Sequence, residues 1–310
     1  MPRTLTASEK FALLKLAATF QKGSPERKGI LGLAKRAEIE VTKKDIDNSK
    51  TLSGVNPQIA KFLVETGLDD GDPSDDKIKV SKANVAAGKL KPSQTSMVLD
   101  KSLGMALAML LGKMPLGGDL GAIISSDNHI LDGHHRWSAA ILAGGPGTSV
   151  GGYKANLDGK ELIKVLNIVT KGTFGRMQGN PGKGSIKEYT PDNIKKTLEV
   201  FVQKGSGQFS ADEVKKALEK LGGSVEGGIQ KMSENVGKMS KSVPSWAPDR
   251  KEMPVIEPNE VPGVAQALNQ GQVNWNVPFA KKKAALRLAA SLPAGSPERR
   301  AILAAFSKFE

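Results

Sequence analysis

The chain has three histidines, and all of them fall in one short stretch, His129-Ile130-Leu131-Asp132-Gly133-His134-His135, followed at once by Arg136-Trp137. A solitary cluster of titratable side chains is where proton or charge chemistry concentrates. Three uses fit these residue types. As metal ligands the imidazoles are badly spaced: His134 and His135 are adjacent, about 100° apart on a helix, and no HExxH-like pattern is present. As structural groups they would cap and pack. As part of a phosphate site they would stand beside Gly133, the unpaired N–H groups of a first helical turn, its positive dipole end and the fork of Arg136. The third use is the working expectation, with no protein-bound metal.

Specific elements must position these groups. Ala122-Ile123-Ile124 reads as a short apolar strand, Ser125 to Asn128 as a turn, and His129-Ile130-Leu131 as a returning strand closed by Asp132-Gly133. His134 to Gly144 reads as a helix with Trp137, Ala140 and Ile141 on its inner side. The glycine-rich stretch 144–152 that follows reads as a flexible loop, either a lid over a ligand or a connector. Gly179 to Ser185 lacks the GxxxxGK[ST] spacing, because Lys183 is followed by Gly184, and is not a P-loop.

The run Asp132-Gly133-His134-His135-Arg136-Trp137-Ser138-Ala139 resembles the Gly-x-His-Arg-x-x-Ala box of the ParB/sulfiredoxin superfamily. Upstream, Lys77-Ile78-Lys79-Val80 resembles the opening strand of those domains, and Leu90-Lys91-Pro92-Ser93-Gln94 their Leu-x-Pro-x-Gln element. A helix from Val98 to Leu111 and a closing strand and helix from Tyr153 to Lys171 complete the likeness, which spans residues 76–175. The resemblance implies an α+β fold, a ParB/sulfiredoxin-like mixed sheet with helices. It also implies that Asp132, His134, His135 and Arg136 contact or transfer phosphate, and that Gly133 and Gln94 join them in holding ATP or another nucleotide, with or without Mg2+. Sulfinic acid repair is excluded, since sulfiredoxins need a cysteine where this chain has His134 and it has no cysteine at all. The serine-kinase members place a glutamate at the position of Gln94, and an amide cannot take a proton from a hydroxyl. Nucleotide hydrolysis, phosphoryl transfer and nuclease action stay open, with Asp132 as metal holder or histidine-orienting group and Arg136 neutralising charge.

Composition sets the outer limits. The chain of 310 residues has a net charge of +13, which suits an anionic partner such as a nucleotide, DNA, RNA or an acidic protein surface. Only 5% of residues are aromatic, which argues against base-stacking recognition of single strands. The absence of cysteine fits a reducing compartment. No apolar signal core or membrane-length run is present, so no membrane partner is expected, and the location expected is the cytoplasm or a virion.

The ends repeat one another. Lys10 to Leu31 recurs from Lys282 to Leu303 with about half the positions identical. Each copy encodes a helical hairpin, with Leu14, Ala17 and Ala18 (Leu286, Ala289 and Ala290 in the second) on an apolar stripe. Gly23 or Gly295 ends the first helix, and Ser24-Pro25-Glu26 or Ser296-Pro297-Glu298 begins the next. Hairpins this short need a partner: each other, the body, or another protein docking on residues 10–33 and 282–306. Such segments resemble end-modules of tailed-phage proteins, which keeps a virion or assembly role as the alternative to a phosphate-binding one.

The expected organisation is an N-terminal hairpin at 1–37 and a linker at 38–75 with one helix, Pro57 to Thr66. The body at 76–175 comes next, then a helical satellite at 186–222, a partly extended linker at 223–279 and a C-terminal hairpin at 280–310. The acidic run Asp69 to Asp76 lacks the alternation of an EF-hand and reads as solvated linker. In the satellite, Thr190 and the Ser210–Glu213 capping box open two helices. Their lysines 195, 196, 215 and 216 admit a helix-turn-helix reading, although the intervening segment is long for one. Gly227 to Ser240 has helical spacing at Ile229, Met232, Val236 and Met239. Beyond it, Pro244 to Pro278 is expected to be extended, with Trp246 and Trp275 as anchors if it wraps.

Overall fold

A computed structural model of the chain describes residues 7–22, 24, 27, 30, 31, 41–66, 78–273, 289, 292–296, 299, 300 and 303. It has a mixed α+β architecture in two units, one of Met1–Lys79, Lys164–Met177 and Pro262–Glu310, the other of Val80–Ile163 and Gln178–Val261.

In the first unit, α1 spans Ala7–Ala18, α2 Lys43–Asn48 and α3 Pro57–Thr66. Helix α3 has the expected bounds, and the Asn56 carboxamide oxygen before it accepts from the amides of Gln58 and Ile59. Helix α2 was not anticipated, though its signal is present: Thr42 and Asp45 form a reciprocal capping box. The stripe expected on α1 is corrected. Leu13 and Ala17 are buried, whereas Leu14 and Ala18 are exposed. Apolar residues surround this helix, so periodicity alone does not choose a face. Lys171 is held by the carbonyls of Leu52 (2.7 Å) and Val55 (2.8 Å).

The terminal repeat is structural as well as textual where it is described. Ser24 Oγ accepts from the Arg27 amide at 3.2 Å and Ser296 Oγ from the Arg299 amide at 3.1 Å. Each arginine then donates Nη1 to a carbonyl seven residues earlier, Phe20 in one copy and Leu292 in the other. Gly295 is left-handed with φ +80°, as a helix-ending glycine should be. The remainder of both hairpins, including Gly23, and the acidic run lie outside the described residues.

The second unit opens with β1 (Val80–Ala86) and β2 (Lys91–Pro92), then α4 (Leu99–Leu110), β3 (Asp119–Ile124), β4 (His129–Asp132), α5 (His134–Gly144) and β5 (Ser149–Ala155). Helix α6 (Gly159–Gly172) begins here and ends in the first unit; α7 (Pro191–Lys204), α8 (Ala211–Gly222) and α9 (Val225–Gly237) complete it, and α10 (Val261–Asn269) follows. The sheet order is β1-β5-β3-β4-β2. β1 is antiparallel to β5 and β4 to β3, while β5 runs parallel to β3 and β2 to β4. The opening strand lies later than expected from Lys77 to Val80, because its small residues (Ala83, Ala86) hide the alternation.

The glycine-rich stretch after α5 divides: residues 145–148 are a turn, as the connector reading has it, whereas 149–152 are strand and correct the loop reading. Gly151 and Gly152 sit in β5 between β1 and β3, and a Cβ on Gly152 would stand 2.1 Å from the Ala122 carbonyl oxygen. Glycine is there because two backbones meet. Gly152→Ala is therefore expected to cost about 1–3 kcal/mol by overpacking, read as a lowered midpoint in urea unfolding.

Helices α7 and α8, expected as a satellite, and α9, expected within the linker, all contribute to the core. Leu103 and Leu107 of α4 and Trp137 and Ile141 of α5 share one buried cluster with Leu198, Val214, Leu218, Met232 and Val236. The caps expected at Thr190 and Ser210 are in place, and the Asn235 amide group donates to the Leu142 carbonyl at 3.1 Å, tying α9 to α5. Residues 244–258 are irregular apart from turns at 244–247 and Arg250–Glu252, with Met253, Val255 and Ile256 buried. Helix α10 stands where the sequence suggested extended chain from Pro244 to Pro278. Trp275 lies outside the described residues.

Candidate functional site

Strand β4 ends at Asp132, the chain turns at Gly133 (φ +97°, left-handed), and α5 starts at His134. A Cβ on Gly133 would lie 3.3 Å from Ala122 Cα and 3.3 Å from Arg136 Nη2. The glycine thus supplies both the turn and the space for a guanidinium to lie on the backbone. Arg136 Nη2 donates to Asp132 Oδ2 at 2.7 Å and to the Gly121 carbonyl at 3.4 Å. The left-handed turn at Gly133 brings the strand's last side chain beside the first turn of α5.

The two neighbouring histidines brace a loop. His134 Nε2 accepts from the Ser93 amide and His135 Nε2 from the Val98 amide, each at 3.1 Å. A backbone amide only donates, so each neutral ring carries its proton on Nδ1. Ser93 Oγ donates to the Ile130 carbonyl, and Gln94 Nε2 to the Ser96 carbonyl at 3.0 Å, so the Leu-Lys-Pro-Ser-Gln segment is fixed against β4 and α5. Behind it, the Tyr189 hydroxyl donates to the Val98 carbonyl at 3.0 Å and joins Ser102 and Ser138 in a buried hydroxyl chain.

Burial, reinforced by the charges of Arg250, His135 and Arg136, holds His134 well below the usual imidazole range. Burial and the charges of Lys101, Arg250 and Arg136 push His135 down to about 4. Both rings are therefore neutral near pH 7. Their folded values lie below the unfolded one, so their contribution is full above about pH 6.5 and is lost as pH falls towards 4. Unfolding free energy measured from pH 7 to about 5, above most carboxylate titration, should fall with pH, and His135→Gln should flatten that slope.

Asp132 is shifted the other way. Enclosure raises its carboxyl above the usual range, against the opposing pull of Arg136, Arg250 and the Gly133 amide. Arg250 is itself lowered by burial and supported by Asp132.

These groups line a hollow of ≈ 230 Å³. All six residues singled out from sequence, Gln94, Asp132, Gly133, His134, His135 and Arg136, are on its wall, with Lys101, Asn180, Arg250 and Glu257 added by the fold. The amides of His134, His135 and Arg136 have no acceptor among the described residues, as expected of a first helical turn. Three cations and two carboxylates thus face one space beside the positive end of α5. Arg250 escaped sequence reading because it comes from an aperiodic segment far along the chain; the only hint was that Trp246 nearby could anchor a wrapping segment.

His129 belongs elsewhere. Its Nδ1 meets Asp127 Oδ2 at 2.9 Å, its amide donates to Ser125 Oγ, and its ring stands edge-on to Trp246 at 5.2 Å between centroids. It stands three residues before Asp132, at the far end of β4 and on the opposite face, since side chains alternate along a strand.

Among the described residues, no group of three or more His, Cys, Asp or Glu is placed to hold a metal ion, and no helix is long and apolar enough to cross a membrane. Comparison of the chain with family models, curated proteins and solved structures found no match.

Proposed function

We propose that this protein binds a phosphate compound at the Asp132–Arg136 box, in a domain of ParB/sulfiredoxin type. The observation that carries the proposal is that Arg136 of α5 and Arg250 of a separate segment line one hollow at the first turn of α5, together with Lys101. Guanidinium forks and free amides are suited to oxyanions. The net charge of +13 supports an anionic ligand. The order strand, Lys-Pro-Ser-Gln segment, helix, hairpin and box supports the family likeness. A nucleotide is the compound that likeness suggests. Mg2+ arriving with it would be held chiefly by phosphate oxygens, because Asp132 already pairs with Arg136.

Hydrolysis or phosphoryl transfer at this site would fall to Asp132 as the acid/base group. The histidines direct Nε2 to backbone amides and offer a ligand only an Nδ1–H, so they position rather than exchange protons. Titration of the chain with ATP and ADP in a thermal-shift assay, with and without Mg2+, tests the proposal. A ligand at a hundredfold excess over its Kd adds about 2.7 kcal/mol, and at the same concentration Arg136→Ala should cut this to about 0.4–1.4 kcal/mol. No shift with any phosphate compound would overturn it. Affinity for duplex DNA that falls steeply with salt, with cleavage lost in Asp132→Asn, would favour a nuclease instead.

A second reading, docking through the terminal repeats, rests on one further observation. Leu31 and Leu303 hold equivalent places in the two copies and are equally open, 39% and 40% exposed. Exposed leucines at matched positions suit a protein partner, as in an assembly or virion component. Replacing both with glutamate should release that partner and leave phosphate binding unchanged.

A further inference from the structure

The wall opposite the box is built by the irregular segment after α9, which contributes Arg250, Pro254, Val255, Ile256, Glu257 and Pro258. That segment is anchored on both sides of Arg250. Ahead of it, Trp246 packs edge-on against His129 and lies so close to Gly159 that a Cβ there would come within 2.5 Å of its ring. After it, the Lys251 carbonyl accepts from the Gly179 amide at 2.9 Å and Met253 is fully buried. Arg250 is thus carried by a fixed strap. Its guanidinium faces the hollow with no hydrogen-bond or ion-pair partner among the described residues, although Asp132 lies within its field.

The remaining walls limit what fits. A hollow of ≈ 230 Å³ is smaller than the roughly 300–1,000 Å³ typical for drug-sized ligands. Among the described residues, no Phe, Tyr or Trp lines it. Its only aromatic rings are the imidazoles of His134 and His135, each pinned through Nε2 to a loop amide, so the wall offers a base no broad stacking face. The aliphatic wall is already committed to the fold: Leu131, Val255 and Ile256 are buried. What the space offers is charge, with two guanidiniums on separate elements and one ammonium.

Resting on the reading that the box holds phosphate, we infer that the site recognises a diphosphate group. One phosphoryl is held by Arg136 and the first turn of α5, the adjoining one by Arg250 and Lys101, and whatever carries the group stays outside the hollow.

Isothermal titration of the full chain with inorganic phosphate, pyrophosphate, ADP and adenosine tests this at one fixed, low ionic strength. Pyrophosphate is expected to bind at least about tenfold tighter than phosphate, ADP within about threefold of pyrophosphate, and adenosine not at all. Arg250→Ala should bring pyrophosphate down to the affinity of phosphate. Lys220→Ala, the same loss of charge on the exposed end of α8, should change neither. ADP binding tenfold or more above pyrophosphate, measurable adenosine binding, or pyrophosphate no better than phosphate would each overturn the inference while leaving a phosphate site in place. Binding of none of the four would overturn the phosphate reading itself. Should Arg250→Ala fail to fold, the wild-type series decides alone.

Discussion

Trp137→Ala is expected to destabilise the sheet-bearing unit by about 3–5 kcal/mol, measured as a lowered denaturation midpoint at unchanged slope. Trp137 is fully buried, and its Nε1–H donates to the Ala87 carbonyl at 2.8 Å. Truncation would leave a cavity between α5 and the chain leaving β1. It would also strip a buried carbonyl of its partner, which alone costs about 1–3 kcal/mol. Trp137→Phe separates the two contributions: it refills most of the volume but cannot donate, so it should recover more than half the loss. The indole also fixes the rotation of α5. Residues 136 and 137 point about 100° apart on a helix, so a seated Trp137 presents Arg136 to Asp132 and Gly121. A cost below 1 kcal/mol would mean that this side chain does not organise the core around the box.

The contrast between Trp137 and Arg250 shows which parts of the molecule could be read in advance. The box is legible because its parts are adjacent in sequence and punctuated by chemistry. A left-handed glycine between a short apolar strand and an amphipathic run marks the junction, and α5 occupies the expected His134 to Gly144. Helices with side-chain caps, such as the one Thr190 opens, are legible for the same reason. Long-range pairings are not. Strand β2 has only two residues, and it exists because β4 lies beside it. Gly151 and Gly152 look like loop glycines until the strands that crowd them are known. The two site histidines were legible as types, but the nitrogen each commits to backbone depends on where the Ser93 and Val98 amides fall. Arg250 needs the strap, and the strap needs Trp246 to find the Gly159 notch.

Opposite changes are expected from the two members of the box pair. Arg136→Ala should weaken binding of a phosphate ligand about tenfold to a hundredfold, since a hydrogen bond to a charged group contributes about 1.5–3 kcal/mol. Asp132→Asn should strengthen it about tenfold, because the carboxylate that holds Arg136 at 2.7 Å competes with the ligand for the same fork. Stability should respond differently. The folded carboxyl lies above its unfolded value, chiefly through enclosure, so its favourable contribution is complete below about pH 3.9 and is lost as pH rises through the raised folded value. That raised value already includes the pull of Arg136, so on balance the fold disfavours the ionised form. Asparagine removes this dependence, so thermal stability should be no lower than in the wild type and should change less with pH. If Asp132 also moves a proton in a hydrolytic or transfer step, the same variant would bind more tightly and turn over at least about a hundredfold more slowly. Tighter binding without loss of turnover would make the carboxylate only a gate on Arg136. Weaker binding in Asp132→Asn would mean that Asp132 holds the guanidinium in place for the anion instead of competing with it.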